Sequence, residues 1–186
     1  MAKSGLLKAS DEVLEHRRRW RYRGDERPAG AIVPNQDQES VWDYPRPPSI
    51  VAESRRVEVR FGNDLLADSL RAVRVLETAS PPTFYLPPAD VRTDRLVESG
   101  RESMCEWKGI AQDFDLVEGP TSVAWCYART FPEFASIAGW FSFYPARLEC
   151  FVAGERVRPQ PGGFYGGWIT DEVVGPVKGE PGCRGS

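Results

Sequence analysis

The sequence predicts a mainly β protein: a compact antiparallel domain of about eight short strands, with one or two short helices and an N-terminal helical arm. The length of 186 residues suits one domain and is too short for two independent cores. The 17 glycines and 16 prolines favour short strands and turns over long helices. Several segments also alternate apolar and polar residues with a period of two, which is typical of half-buried strands.

Residues 1–40 are predicted to form a helical arm and a linker, and residues 41–186 a single β-rich domain. Within the arm, residues 10–23 carry helix signals, because Ser10 can cap the first turn and Gly24 can end the last one. The apolar stripe of this helix is thin, so we expect an arm appended to the body rather than a core element.

The arm also has the composition of a nucleic-acid-binding segment, since arginines can pair with phosphates while Trp20 and Tyr22 stack on bases. Its basic residues are Arg17, Arg18, Arg19, Arg21 and Arg23. The alternative is a solvated helix face that packs its two aromatic rings on the body. The net charge of −3 and the nearby acidic residues favour this alternative and argue against a nucleic acid partner.

The strand pattern begins after the proline-rich residues 45–48. Residues 57–61 alternate apolar and charged side chains and are followed by Gly62-Asn63-Asp64, which predicts a β-hairpin. Further strands are predicted over residues 72–75, 83–86, 104–108, 112–117, 122–127, 140–144 and 148–152. Strands of this number and spacing indicate an antiparallel body.

Two helical interruptions and an ordered tail complete the prediction. Thr130 and Glu133 have the spacing of a capping box, which predicts a helix ending at Gly139, and residues 90–97 suggest another helical turn. From Pro159 the chain is rich in glycine and aromatic residues. We expect this tail to wrap around the body, because Phe164, Tyr165 and Trp168 are costly to leave in water.

Several functional classes are disfavoured by composition. The only histidine, His16, precedes three arginines, which disfavours a catalytic histidine or a metal ligand there. The four cysteines are widely separated and form no Cys-x-x-Cys pair, so no zinc site and no cofactor are predicted. An apolar run of about 18 residues and a signal core are both missing, so we expect a cytoplasmic protein without a membrane span and with reduced thiols. The oligomeric state is left open.

Two patterns suggest enzyme chemistry. Asp113 and Asp115 would share one face of a strand and could hold a divalent cation, although a solvated strand face has the same spacing. Cys105 and Lys108 could form an activated thiol. Strand alternation opposes this second pairing, because residues three apart face opposite sides unless Gly109 marks a bulge. Alternation favours a buried thiol with Lys108 paired to Glu106.

Aromatic residues suggest a binding pocket instead. In extended structure Trp125 and Tyr127 project to one face. Such rings can hold a planar heterocycle or a cation, while Lys108 or a carboxylate such as Glu77 fixes its polar edge. Core packing would explain the same rings.

Several ordered stretches together resemble a known family. They are WDYPRPP at 42–48, RVLET at 74–78, PPTFYLP at 81–87, CEWKG at 105–109, WCY at 125–127, IA at 137–138, FYP at 143–145 and the tail at 164–185. They are similar to a bacterial and fungal family known as domain of unknown function family 427, sometimes labelled nucleotidyltransferase-like. The resemblance covers residues 41–186 and leaves out the arm.

The resemblance implies a β-tent-like fold, in which two antiparallel sheets meet at an angle. Some relatives with that fold bear zinc, but this chain lacks their paired Cys-x-x-Cys motifs. The positions that the resemblance implies for a pocket are Glu77, Tyr85, Cys105, Lys108, Trp125 and Tyr127.

Our leading hypothesis is a small-molecule-binding domain that holds a planar, nucleoside-like ligand against Trp125 and Tyr127. In this hypothesis Lys108 and Glu77 orient the polar edge of the ligand. One alternative is an enzyme, either a nucleotidyltransferase that uses the two aspartates or a thiol enzyme. The other is a scaffold whose tail or arm docks a protein partner.

Overall fold

A computed structural model of the chain describes residues 5–183, and the mainly β prediction is confirmed. These residues contain one α-helix, α1 (Asp11–Arg19), and 3₁₀ turns at Pro88–Asp90, Thr93–Arg95 and Pro132–Ile137. The strands are β1 (Gly5–Leu6), β2 (Glu39–Ser40), β3 (Ser49–Ala52), β4 (Val57–Phe61), β5 (Asp64–Ser69), β6 (Val73–Glu77), β7 (Ser80–Tyr85), β8 (Leu96–Cys105), β9 (Gly109–Leu116), β10 (Ala124–Thr130), β11 (Phe141–Phe143), β12 (Glu149–Val152), β13 (Glu155–Arg156), β14 (Arg158–Pro159), β15 (Trp168–Ile169) and β16 (Val173–Val174). Sixteen strands replace the expected eight or so, and six of them are only two residues long.

Three sheets build most of the body. The largest has the order β1-β10-β9-β8, with β11 also paired to β10, and its strands β8, β9 and β10 form an antiparallel meander. The others are β13-β12-β4-β5 and β3-β6-β7. Leu86 and Phe141 exchange backbone hydrogen bonds of 2.8 and 2.9 Å, which fixes the end of β7 beside the largest sheet.

The core has three clusters of buried side chains. The largest lies between the sheets, where Phe84 stacks on Trp168 with ring centroids 4.7 Å apart. A second cluster surrounds Tyr85, Trp125 and Tyr127. The third joins Trp42 to the tail, and the Trp42 indole N–H donates to the carbonyl oxygen of Pro176 at 2.9 Å. These contacts tie the tail to the segment that precedes β3.

The predicted hairpin is confirmed. Strands β4 and β5 pair in antiparallel fashion around Gly62, whose positive φ of 58° suits the turn. Strand β8 is longer than predicted, because it begins at Leu96 and ends at Cys105. Residues 106–108 form a turn rather than the end of that strand.

The helical predictions need correction. Thr130 does not cap a helix; it is buried at the end of β10 and pairs with Gly109, and a 3₁₀ turn follows at Pro132–Ile137. Residues 90–97 contain the end of one 3₁₀ turn and all of a second before β8 begins. Helix α1 begins after Ser10 as predicted, and the Ser10 hydroxyl accepts from the N–H of Val13 at 3.3 Å. It ends at Arg19 rather than Arg23, because Trp20 is extended and packs on the body.

The arm is held to the body by Arg17, Trp20 and Tyr22. All nine residues of α1 are half-buried or exposed, as the thin apolar stripe predicts. Arg17 nevertheless lies 5.1 Å from the ring centroid of Trp107, and Tyr22 packs edge-on against Trp42 at 5.2 Å. The two aromatic rings of the arm therefore contact the protein itself.

The tail wraps the body as expected for Trp168, which is fully buried, and for Tyr165, which is half-buried. Phe164 contradicts the prediction, since 74% of its surface is exposed at the tip of a glycine-rich loop. Within residues 5–183, α1 and the 3₁₀ turns are all too short or too polar to span a bilayer.

Candidate functional site

The six residues implied by the family resemblance line one cavity of about 220 Å³. They come from three places in the fold. Glu77 and Tyr85 end the neighbouring strands β6 and β7, and Trp125 and Tyr127 lie on one face of β10. Cys105 ends β8, and Lys108 lies in the turn that follows.

Local backbone geometry explains why these residues converge. Ala79, with a φ of 69°, forms the tight turn between β6 and β7 and leaves Glu77 opposite Ser80. Gly109 ends the β8–β9 turn with a φ of 124°, and a Cβ atom there would lie 2.2 Å from the carbonyl oxygen of Arg129. Only glycine therefore allows the close approach to β10 that presents Lys108 to the cavity.

A buried ion pair forms the polar wall of the cavity. Lys108 Nζ lies 3.1 Å from Glu77 Oε2, and Arg46 Nη2 lies 3.5 Å from Glu77 Oε1. Burial alone would raise the pKa of Glu77, but Lys108, Arg46 and Lys178 together lower it. Burial alone would lower the pKa of Lys108, whereas the Glu77 carboxylate raises it. Both members of the pair are therefore charged at neutral pH.

The expected pairing of Lys108 with Glu106 is wrong. Glu106 Oε1 instead accepts from the indole N–H of Trp20 at 2.9 Å. The alternation that separated Cys105 from Lys108 fails because the chain turns after Cys105, and both side chains face the same cavity.

Cys105 is nevertheless poorly suited to nucleophilic chemistry. Burial raises the pKa of the Cys105 thiol by more than the neighbouring Lys108 lowers it. The thiol is half-buried, and its Sγ atom lies 3.9 Å from Glu106 Oε2. This environment favours a neutral thiol in the wall of the cavity.

The aromatic wall is held by hydrogen bonds and ring contacts. Trp125 Nε1 donates to the Tyr85 hydroxyl at 3.2 Å, and the rings of Trp125 and Tyr144 are 4.5 Å apart. Burial raises the pKa of Tyr85 to about 12 and that of Tyr127 well above its usual range. Both hydroxyls therefore keep their protons at neutral pH. Ala111 lies across from Tyr127 on β9, and its small side chain leaves room for the cavity.

Residues 160–167, which we call the tail loop, form one wall of the cavity. Gln160 holds the base of this loop: its Oε1 accepts from the N–H of Gly167 at 3.1 Å, and its Nε2 donates to the carbonyl oxygen of Lys178 at 2.7 Å. Gly166 lies against the Trp125 ring, where a Cβ atom would come within 2.2 Å of Cη2. Phe164 and Tyr165 complete this wall.

Sequence reasoning missed most of the other lining residues, among them Tyr144, Gln160, Tyr165 and Lys178. One signal was present, because Lys108 and Lys178 are two of only four lysines and each precedes a glycine. A second cavity of about 240 Å³ adjoins the first and shares five lining residues with it: Ser103, Ala111, Trp125, Tyr144 and Phe164.

Asp113 and Asp115 do share a face of β9, but both carboxylates are bound to arginine. Arg101 Nε donates to Asp113 Oδ2 at 3.0 Å, and Arg101 Nη2 donates to Asp115 Oδ1 at 2.5 Å. The backbone N–H of Ser122, together with Arg101, lowers the pKa of Asp115. In the described part of the chain, His, Cys, Asp and Glu form no group of three or more that could hold a metal ion.

Comparison with known proteins adds one finding. No curated protein matches this chain. The family described as a domain of unknown function, DUF427, matches residues 49–154. This range contains all six predicted site residues and excludes the arm, the tail loop and Lys178. The chain belongs to the DUF427 family.

Proposed function

We propose that the cavity binds a small molecule that carries a planar ring. The observation that supports this is the convergence of six residues, far apart in sequence, around one cavity with aromatic walls and a charged pair. Ligand pockets typically combine mostly apolar walls with a few placed polar groups. Core packing alone would favour filling this space with side chains.

The volume of the cavity limits the size of the ligand. Its volume of about 220 Å³ lies below the roughly 300–1,000 Å³ of pockets for drug-sized ligands. A group of one or two rings suits such a space. The aromatic side chains of Trp125 and Tyr127 would flank the ring, since offset and edge-on ring contacts stabilise such complexes.

The polar groups in the cavity wall can fix the orientation of the ligand. The Tyr85 hydroxyl keeps its proton and can donate to a ligand acceptor, and Lys108 and Glu77 offer a donor and an acceptor from fixed positions. A nucleobase has donors and acceptors along one edge and meets this description, so a nucleoside-like ligand is our first choice.

A thermal-shift screen of the full chain against nucleosides, nucleotides and other one- or two-ring compounds tests the proposal. A ligand at 100 times its dissociation constant should add about 2.7 kcal/mol, or roughly 5 to 10 °C in Tm for a chain of this length. Ser103 lines the cavity and is exposed on β8, so Ser103→Trp should fill the space without disturbing the core.

Val97→Trp is the matched control, because Val97 is a half-exposed residue of the same strand outside the cavity. We expect hits on the wild type to persist in Val97→Trp and to disappear in Ser103→Trp. A screen without hits, or hits that Ser103→Trp retains, would contradict the proposal.

A further inference from the structure

The cavity contains a lysine that the ion pair does not use. Lys178 lines the cavity from the tail, and among residues 5–183 it forms no salt bridge with a carboxylate. Its Nζ atom lies 4.7 Å from the ring centroid of Trp20 and 5.1 Å from that of Tyr165. Two aromatic rings therefore hold this ammonium group in the wall.

The backbone of Lys178 is fixed as well. Its N–H donates to the carbonyl oxygen of Ala79 at 2.7 Å, and its carbonyl oxygen accepts from Gln160 Nε2 at 2.7 Å. The residue after it is equally confined, because a Cβ atom on Gly179 would lie 2.2 Å from the carbonyl oxygen of Pro161. The position of the ammonium group is thus set before any ligand arrives.

The other charges decide which ligands this arrangement favours. Two carboxylates line the cavity, and both already have donors: Glu77 accepts from Lys108 and Arg46, and Glu106 accepts from Trp20. Among the lining residues, Lys108 and Lys178 balance these two negative charges, and Arg46, which contacts Glu77 from outside the lining, adds a third positive charge. A cationic ligand would face like charges, whereas an anionic group would find a donor in Lys178.

We propose that the ligand of this cavity carries an anionic carboxylate or phosphate on its planar ring system, and that Lys178 binds this group. The inference rests on the proposed function and names the class of ligand for the same site. Lys108 stays paired with Glu77 and orients the neutral edge of the ring. Ser80 and Ser103 also line the cavity and can add hydroxyl donors to the anion.

Matched pairs of probes test the inference. Isothermal titration calorimetry would compare adenosine with adenosine 5′-monophosphate, and indole with indole-3-carboxylate, on the full-length protein. The first pair adds a phosphate and the second a carboxylate, so the two arms distinguish the anions. We expect the charged member of at least one pair to bind about tenfold more tightly or better, the amount that one charge-assisted hydrogen bond supplies.

Three variants assign the effect to Lys178. Lys178→Gln should bring the two members of the pair to within about twofold of each other, whereas Lys178→Arg should keep most of the preference. Lys8→Gln is the control, because Lys8 is exposed and lies outside the cavity. Should Lys178→Gln fail to fold, added salt should still weaken the preference of the wild-type protein.

The outcomes separate the two proposals. Neutral probes that bind as tightly as charged ones, or a preference that survives Lys178→Gln, would overturn the inference and leave the proposed function standing. If neither the thermal-shift screen nor either pair of probes gives binding, or if Ser103→Trp binds the probes unchanged, the proposed function fails and the inference fails with it.

Discussion

At the scale of single residues, Gly166 shows how closely the tail loop fits the cavity. A Cβ atom on Gly166 would lie 2.2 Å from Cη2 and 2.5 Å from Cζ3 of Trp125. The indole cannot easily yield, because it is hydrogen-bonded to Tyr85 and packed against Tyr144. We expect Gly166→Ala to lower the free energy of unfolding by about 1–3 kcal/mol, as overpacking does in other cores.

Urea denaturation would measure this change, and near-ultraviolet circular dichroism would report on the displaced indole. Gly5→Ala is the control, since a Cβ atom on Gly5 meets nothing within 4 Å. Equal stability of the two variants would show that the loop does not press on Trp125.

Residues on regular strands could be predicted, and residues beside turns could not. Trp125 and Tyr127 share a face, as the period of β10 requires. Strand alternation puts Lys108 on the wrong side, because the chain turns after Cys105 instead of continuing as a strand. Lys178 lies in a tail without apolar periodicity, so no local rule could bring it to β10.

At the scale of elements, the arm packs against two residues that line the cavity, Glu106 and Lys178. Two cations lie near the Trp20 ring, with Arg46 at 3.9 Å and Lys178 at 4.7 Å from its centroid, and the indole N–H donates to Glu106 Oε1. We expect Trp20→Ala to lower the free energy of unfolding by about 2–4 kcal/mol, because it removes a large half-buried ring and two cation–π contacts.

Trp20→Phe keeps an aromatic ring but loses the N–H donor and part of the ring area, so it should cost less than Trp20→Ala, about 1–2 kcal/mol. Hydrogen exchange should also become faster at residues 105–109 in Trp20→Ala, since the Glu106 contact is lost. A Trp20→Ala protein as stable as the wild type would mean that the arm lies loosely on the body.

The remaining incorrect predictions concern elements whose structure depends on partners that are distant in sequence. The capping-box pattern at Thr130 is a valid local signal, but pairing with Gly109 on β9 and with Leu6 on β1 keeps that residue in a strand. The sequence pattern shows only the end of strand β8, because the first part of the strand is largely exposed and Gly100 interrupts it with a φ of 77°. Tertiary pairing overrode local pattern in both places.

At the scale of the whole molecule, the cavity depends on contacts between segments that are far apart in sequence. Strand β16 pairs with β2, and Gln38 Nε2 donates to the carbonyl oxygen of Asp171 at 3.0 Å. These contacts carry the tail back to the start of the body and so position Lys178. Composition and strand spacing were enough to predict a mainly β domain, whereas this closure required the folded structure.

Acid should destabilise the molecule through carboxylates that are charged when folded. Cations lower the pKa of Glu77, so the folded state binds its proton less readily than the unfolded state does. The stabilisation from Glu77 is therefore present above its ordinary pKa of 4.5 and is lost as the pH falls through the lower folded value. Glu53 behaves in the same direction, because Arg55 and Arg74 outweigh its burial.

Glu77→Gln separates this contribution from the general effect of acid. At pH 7 the variant should lose about 3 kcal/mol, because Lys108 keeps its charge in a largely buried site without its carboxylate. The difference between wild type and variant in urea denaturation should shrink steadily below pH 4.5, as the wild-type carboxyl takes up its proton. Glu149→Gln breaks the exposed pair with Arg156 and should change stability by less than about 1 kcal/mol at pH 7. A difference that stays constant from pH 7 to pH 3 would mean that Glu77 stabilises the fold by shape rather than by charge.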